Sequence, residues 1–234
     1  MSTPRLAYHR TDGTGPTTVF LPGYASDMTG SKALALEVWA KANGRAFVRF
    51  DYRGCGQSEG DFAQATLANW RDDARAIVEQ LADGPAILVG SSMGGWIALL
   101  LALAMPDRVA GLVLVAPAPD FTDWGFTQAE KMALLQDGRI ERPSPYSDQP
   151  TLFTRAFWTS GEASRLPPGP VPVAGPVRIL QGLQDTDVPW TRTLDLSQRL
   201  GSADVHLTLI KDGDHRLSRE ADIAALTGAV ESLC

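Results

Sequence analysis

The sequence predicts an α/β fold: a mostly parallel central sheet with helices on both faces and an inserted cap. Three observations predict it. Short apolar runs alternate along the chain with segments whose apolar residues recur at helical spacing. Those runs are apolar throughout, as strands covered on both faces must be. One stretch, residues 86–104, runs from an apolar strand through Gly90-Ser91-Ser92-Met93-Gly94 directly into an apolar run of helix formers. A serine forced onto so abrupt a strand-to-helix turn takes strained dihedrals and exposes its hydroxyl. A side chain two residues to either side would collide there, which accounts for glycine at both positions. A plain Gly/Ser turn, as in many α/β proteins, is the alternative at this point.

Residues 6–9 alternate weakly and predict a short edge strand. Residues 11–16 predict a hairpin-type turn; their glycines are not followed by a helix, which disfavours a phosphate loop. Residues 18–21 are a buried strand that ends at Pro22-Gly23-Tyr24. A helix over 32–42 follows and stops at Gly44. Residues 46–50 are the next strand. Leu67, Trp70, Ala74, Ile77, Val78 and Leu81 keep a 3.6-residue period within a helix over 66–82. After the Ser92 turn and its helix comes a strand over 111–115. Residues 117–175 then break the rhythm with prolines and aromatics; helices are expected near 127–136 and 150–158. An insertion of this length is too long for a plain loop and predicts a cap. A strand over 177–180, a helix over 192–200, a strand over 205–210 and a helix over 220–233 complete the chain.

The bulk properties exclude several classes. With 234 residues, 44% hydrophobic and 21% charged, the chain suits one globular α/β domain. A net charge of −6 without a basic tract argues against nucleic acid as a partner. Cys55 and Cys234 make no disulfide framework and fit a reducing, cytoplasmic setting. Met1-Ser2-Thr3-Pro4-Arg5 leads into no apolar signal segment, and the longest apolar run, 96–105, is too short to span a bilayer. The three histidines, His9, His206 and His215, lack metal-ligand spacing, so no metal or other cofactor is expected. A monomer or weak homodimer is expected.

In sheets of this kind ligands bind beyond the carboxyl ends of the strands. Ser92 stands there, as do Asp185 and Asp187 after the strand ending at Leu180, and His215 after the last strand. The chain order Ser, Asp, His is the one found in hydrolases that carry this serine turn. A hydroxyl needs a base to become a nucleophile, and the base needs an anion to fix its tautomer. His9 and His206 fall on strands, which leaves His215 as the suitably placed base. Either aspartate can equally be a turn former. Asp120 and Asp123, after the strand over 111–115, form a weaker candidate acid site. Cys55 has no neighbouring histidine in sequence and reads as structural.

Arg53-Gly54-Cys55-Gly56-Gln57-Ser58 resembles the RGxGxS loop of the α/β-hydrolase family. Gln181-Gly182-x-x-Asp185-x-x-Val188-Pro189 resembles its HGxxDxxVP acid loop, and Asp214-His215 its base loop. The resemblance covers nearly the whole chain. It implies the α/β-hydrolase fold and selects Asp185 over Asp187. Leu21-Pro22-Gly23-Tyr24, Ser92-Met93-Gly94-Gly95-Trp96, Val188-Pro189-Trp190 and Asp214-His215-Arg216 are similar to the palmitoyl-protein thioesterase branch of that family, known from mitochondria, which also cleaves acyl glucuronides. No transit peptide precedes them here, and a compact bacterial-type relative is expected. Pro22 and Gln181 stand where many members have histidine, at positions outside the Ser-Asp-His set. The insertion over 117–175 matches least.

The resemblance implies a serine hydrolase of small carboxylic esters or thioesters. Ser92 is the implied nucleophile, His215 the base and Asp185 its orienting acid. The backbone N–H groups of Tyr24 and Met93 are the implied oxyanion donors. The expected partner is a small acyl ester or thioester, or an acylated protein. Trp96, Trp190, Trp124, Phe153 and Trp158 are candidates to line an acyl pocket, or merely to glue the cap to the sheet. The alternatives are an aminopeptidase-like enzyme, which would want free acidic residues such as Asp120, Asp123 or Glu130 in the cap, and a non-catalytic ligand binder of the same fold.

Overall fold

The structure is a computed structural model that describes residues 4–144 and 148–234. Residues 1–3, part of the polar N-terminal stretch, and 145–147, inside the insertion, lie outside the described residues. Strands and helices follow in the expected order: β1 (Tyr8–Thr11), β2 (Thr14–Leu21), α1 (Ser31–Ala42), β3 (Arg45–Phe50), α2 (Leu67–Leu81), β4 (Ala86–Ser91), α3 (Met93–Ala104) and β5 (Val109–Val115). Then come α4 (Phe121–Trp124), α5 (Gln128–Asp137), β6 (Arg139–Arg142), β7 (Thr151–Thr154) and α6 (Arg155–Ala163). The chain closes with β8 (Val177–Gly182), α7 (Trp190–Arg199), β9 (Val205–Ile210) and α8 (Glu220–Glu231).

Among the described residues the main sheet has the order β1-β3-β2-β4-β5-β8-β9. Every neighbouring pair is parallel except β1 with β3. The turn after β1 is therefore no hairpin, contrary to the sequence expectation. A Cβ on Gly13 would run into the backbone of Arg45 and Ala46, so the glycine lets the chain pass over the start of β3 and reach the far side of it.

Alternate residues of each strand serve opposite cores, as the two-residue period requires. Leu88 joins Leu21, Leu114 and Ile179 under α2 and α3, together with Trp70, Ile97 and Leu99. Ile87 and Val89 face the other way, against Ala33, Leu36 and Ala40 of α1 and Leu226 and Val230 of α8. Helix α2 starts where it does because Thr66 accepts the Asn69 N–H and the Asn69 side chain accepts the Thr66 N–H. A capping box of this kind is worth about 1 kcal/mol.

The segment between β5 and β8 is more structured than the sequence suggested. The helix expected over 127–136 is present as α5 and ends at Gly138, whose φ of 82° breaks it. The helix expected over 150–158 begins only at Arg155. Thr154 caps it by accepting the Phe157 N–H, and the residues before it form β7, paired antiparallel with β6. Helix α4 was not expected. Together these elements stand over the carboxyl ends of β2 and β4, where Leu152 meets Tyr24.

Candidate active site

Ser92 follows β4, the central strand, at φ 54° and ψ −116°. Such dihedrals cost an ordinary side chain of order 1–3 kcal/mol and persist only where the surroundings impose them. Here the Ser92 N–H donates to Val115 O at 2.9 Å, while its carbonyl accepts from Gly95 at 2.9 Å and Ala118 at 3.1 Å. A Cβ on Gly90 would collide with Gly94, and one on Gly94 would collide with the carbonyls of Leu21 and Pro22. The two glycines thus let β4, the start of α3 and the end of β2 close on one another around the serine.

The loops after β8 and β9 bring two more side chains to it. His215 Nε2 lies 3.2 Å from Ser92 Oγ, and His215 Nδ1 lies 2.9 Å from Asp185 Oδ2. The Asp185 side chain is fully buried. Burial alone would raise its pKa. Hydrogen bonding and charge from His215, with the Val188 N–H and the Gln181 amide, outweigh that and hold the carboxyl below its usual value. Oδ1 accepts the N–H groups of Asp187 at 2.9 Å and Val188 at 2.8 Å. Gln181 Nε2 donates to Oδ2 at 2.9 Å while Thr193 donates to Gln181 Oε1 at 2.7 Å. Gln181 and Thr193, both buried, aim the carboxylate; no local sequence signal marked Thr193. Asp187 sits elsewhere, half exposed, with Oδ2 4.0 Å from His215 Nε2.

Both expected oxyanion donors belong to segments that adjoin Ser92. Met93 opens α3, so its N–H has no partner within the helix and lies at the positive end of the helix dipole. Gly23, the residue before Tyr24, approaches Ser92 so closely that a Cβ on it would lie 3.4 Å from Ser92 Cβ.

A cleft of about 1090 Å³ opens over Ser92 and His215. Its lining is partly aromatic, with Tyr24, Phe62, Phe121, Trp124 and Phe153, and partly polar, with Asp27, Thr29, Lys32, Asp187 and Arg216 among others. Lys32 donates to the Arg216 carbonyl, and burial, helped by the Arg216 charge, pulls its amine down to about 8. The sequence reading missed this polar part, because its residues come from three separate loops.

Of the five expected pocket residues, Trp124 and Phe153 line the cleft. Trp96, Trp158 and Trp190 do not, and the expectation is corrected for each. Trp96 is fully buried in the core against Phe121, at 5.8 Å between centroids. Trp158 donates to Thr122 O at 3.0 Å and ties α6 to α4. Trp190 starts α7 and is 39% exposed. The three candidate acidic cap residues are engaged: Asp120 accepts the Leu166 N–H, Asp123 pairs with Arg165, and Glu130 pairs with Arg142, which lowers its carboxyl to about 2. Cys55 is buried, and burial pushes its thiol up to about 12, consistent with a structural role. Among the described residues no helix is long and apolar enough to cross a membrane, and no cluster of His, Cys, Asp and Glu is arranged to hold a metal.

Comparison with known proteins bears on what this arrangement is. The mouse and human mitochondrial palmitoyl-protein thioesterases ABHD10 are each 41% identical over 98% of this chain, which covers 79% and 76% of their lengths. The crystal structure of a putative hydrolase from Agrobacterium vitis S4 superposes with a TM-score of 0.92 at 42% identity, covering 98% of this chain and 93% of that one. The mouse ABHD10 structure gives 0.91 at 39% identity, covering 98% and 94%. A model of the family described as serine aminopeptidase, S33, matches residues 16–139, just over half of the chain. Sheet order, serine turn and sequence likeness therefore agree that the chain belongs to this family of α/β hydrolases.

Proposed function

We propose that this protein is a serine esterase or thioesterase that cleaves small acyl esters and thioesters through an acyl-enzyme on Ser92. The observation that carries the reading is the unbroken relay from Asp185 through His215 to a serine held in strained dihedrals, with distances of 2.9 and 3.2 Å. His215 Nε2 takes the hydroxyl proton as Ser92 Oγ attacks the acyl carbonyl carbon. The carbonyl oxygen becomes an oxyanion and accepts from the N–H groups of Met93 and Tyr24. As the C–O or C–S bond breaks, His215 returns the proton to the departing alcohol or thiol. Water then attacks the acyl-enzyme, with His215 again as base, and frees the acid and Ser92.

The likeness to palmitoyl-protein thioesterases supports an acyl substrate, and the aromatic part of the cleft lining offers an apolar surface for the acyl group. The aminopeptidase-like alternative has less support, since the acidic cap residues that would bind a substrate amine are occupied by Arg142, Arg165 and a backbone N–H. A fluorophosphonate should label active protein on Ser92, and Ser92→Ala should abolish both labelling and turnover of p-nitrophenyl acetate. Mass spectrometry finding the adduct on Ser91, or active protein that resists the probe, overturns the assignment. The same result separates a hydrolase from a silent binder.

A further inference from the structure

Tyr24 is held from two sides that belong to different parts of the molecule. Its backbone lies in a tight turn at the end of β2: Ser26 N–H donates to Gly23 O at 3.2 Å, and Ala25 takes a positive φ of 53°. Its side chain belongs to the cap. The hydroxyl donates to Leu152 O at 2.6 Å, and the ring stacks on Phe153 with a centroid distance of 4.7 Å and only 9° between planes. Phe157 packs on it at 4.7 Å. Phe62 and Trp70 meet its edges from the sheet side at 5.4 and 5.5 Å. Tyr24 is also the residue whose backbone N–H the proposed mechanism uses as an oxyanion donor.

We infer that Tyr24 is a positioning residue through which the cap holds the oxyanion hole in register: the cap grips its phenol, and the grip fixes its backbone N–H. The inference rests on the proposed acyl-transfer function. The strained turn gives the Tyr24 peptide no regular ladder to hold it, unlike Met93, whose N–H is carried by α3 on the central strand. Holding a donor is worth as much as having one, since an oxyanion donor acts only within about 2.7–3.1 Å of where the charge develops. Displacement of the cap hairpin withdraws the Leu152 carbonyl and the Phe153 ring together, and one of two donors goes out of register.

The test uses a substrate with no acyl chain for the pocket to sense. p-Nitrophenyl acetate is compared with its thiono analogue, in which sulfur replaces the carbonyl oxygen and accepts N–H hydrogen bonds poorly. Tyr24→Phe keeps the ring and removes the bond to Leu152; Phe157→Leu loosens the ring from a cap residue that does not line the cleft. Wild type should favour the oxygen ester by about a hundredfold. Both variants should lower kcat on the acetate ester by about tenfold and reduce the oxygen-over-sulfur preference by a similar factor, with KM nearly unchanged. A merely structural role would lower Tm without moving the preference. Should Tyr24→Phe fail to fold, Phe157→Leu decides alone. Loss of the wild-type preference for oxygen would remove the oxyanion assignment itself. A normal wild-type preference that both variants retain would overturn the coupling and leave the proposed function standing.

Discussion

Ser91 and Ser92 are neighbours with the same side chain, yet only Ser92 reaches a base, at 3.2 Å from His215 Nε2. The same contrast holds for Asp185 and Asp187. Asp185 is buried and touches His215 Nδ1, the nitrogen whose proton fixes the tautomer; Asp187 is half exposed and 4.0 Å from Nε2. Asp185→Asn should therefore lower kcat by about 10³–10⁴-fold, as loss of tautomer control does. Asp187→Asn should cost less than about tenfold, because its charge is solvent-screened. Steady-state kinetics giving the reverse order would reassign the acid. Because Asp185 is held below the usual carboxylate range, it stays ionised through mildly acidic pH. The acid limb of kcat/KM should accordingly fall with a slope of one proton; a slope of two would mean that Asp185 takes up a proton in the same range. The three relay residues were legible in sequence because each sits directly after a strand, where topology alone brings side chains to one edge. Asp185 and Asp187 were not separable from residue type; the family motif chose between them. Trp96 was misread because α3 is apolar on every side, so nothing in its sequence tells which face meets the cleft.

The existence and order of the strands and flanking helices were legible, since their periods are clear, but their ends were less so: β2 begins at Thr14, four residues before the expected start, and β1 lies two residues later than expected. The cap was not. Strand β6 reads Arg-Ile-Glu-Arg, a short half-exposed run with no turn signature that predicts its pairing with β7. Its role became visible only through contacts that cross some 130 residues of sequence, such as Tyr24 with Leu152. Within this element Trp124 lines the cleft, its ring covered by Arg192 at 4.6 Å. Trp124→Ala should move the optimum acyl length of p-nitrophenyl esters while acetate turnover stays within about threefold. The basis is that each buried methylene is worth up to about 0.8 kcal/mol in the pocket that holds it. Phe153→Ala should change both, because Phe153 lines the cleft and also stacks on Tyr24. An equal loss on all esters in Trp124→Ala would assign the cap to catalysis alone.

At the scale of the whole molecule, the edge that holds Ser92 is braced by an ion pair whose carboxylate is buried and whose guanidinium is partly exposed. Asp73 of α2, 1% exposed, accepts from the Arg53 backbone N–H at 2.9 Å and from its guanidinium at 2.6 Å. This fixes the loop after β3, on which Trp70 Nε1 also donates to Arg53 O. Asp73→Asn should destabilise the fold by about 3 kcal/mol, since removing one partner leaves a charge mostly out of water. Denaturant unfolding measures it, and a loss below about 1 kcal/mol would make the pair decorative. The central place of β4 has a further consequence. Its amides are flanked by β2 and β5 and covered on both faces, so no partial opening exposes them. The β6–β7 hairpin has only one ladder and solvent beside it. Native-state deuterium exchange should find the β4 amides released only by global unfolding, and those of β6 and β7 released far earlier. The strand that carries Ser92 thus has no private route to disorder: under rising denaturant the cap should let go of Tyr24 and of the acyl group first, while the serine turn itself is given up only with the whole sheet.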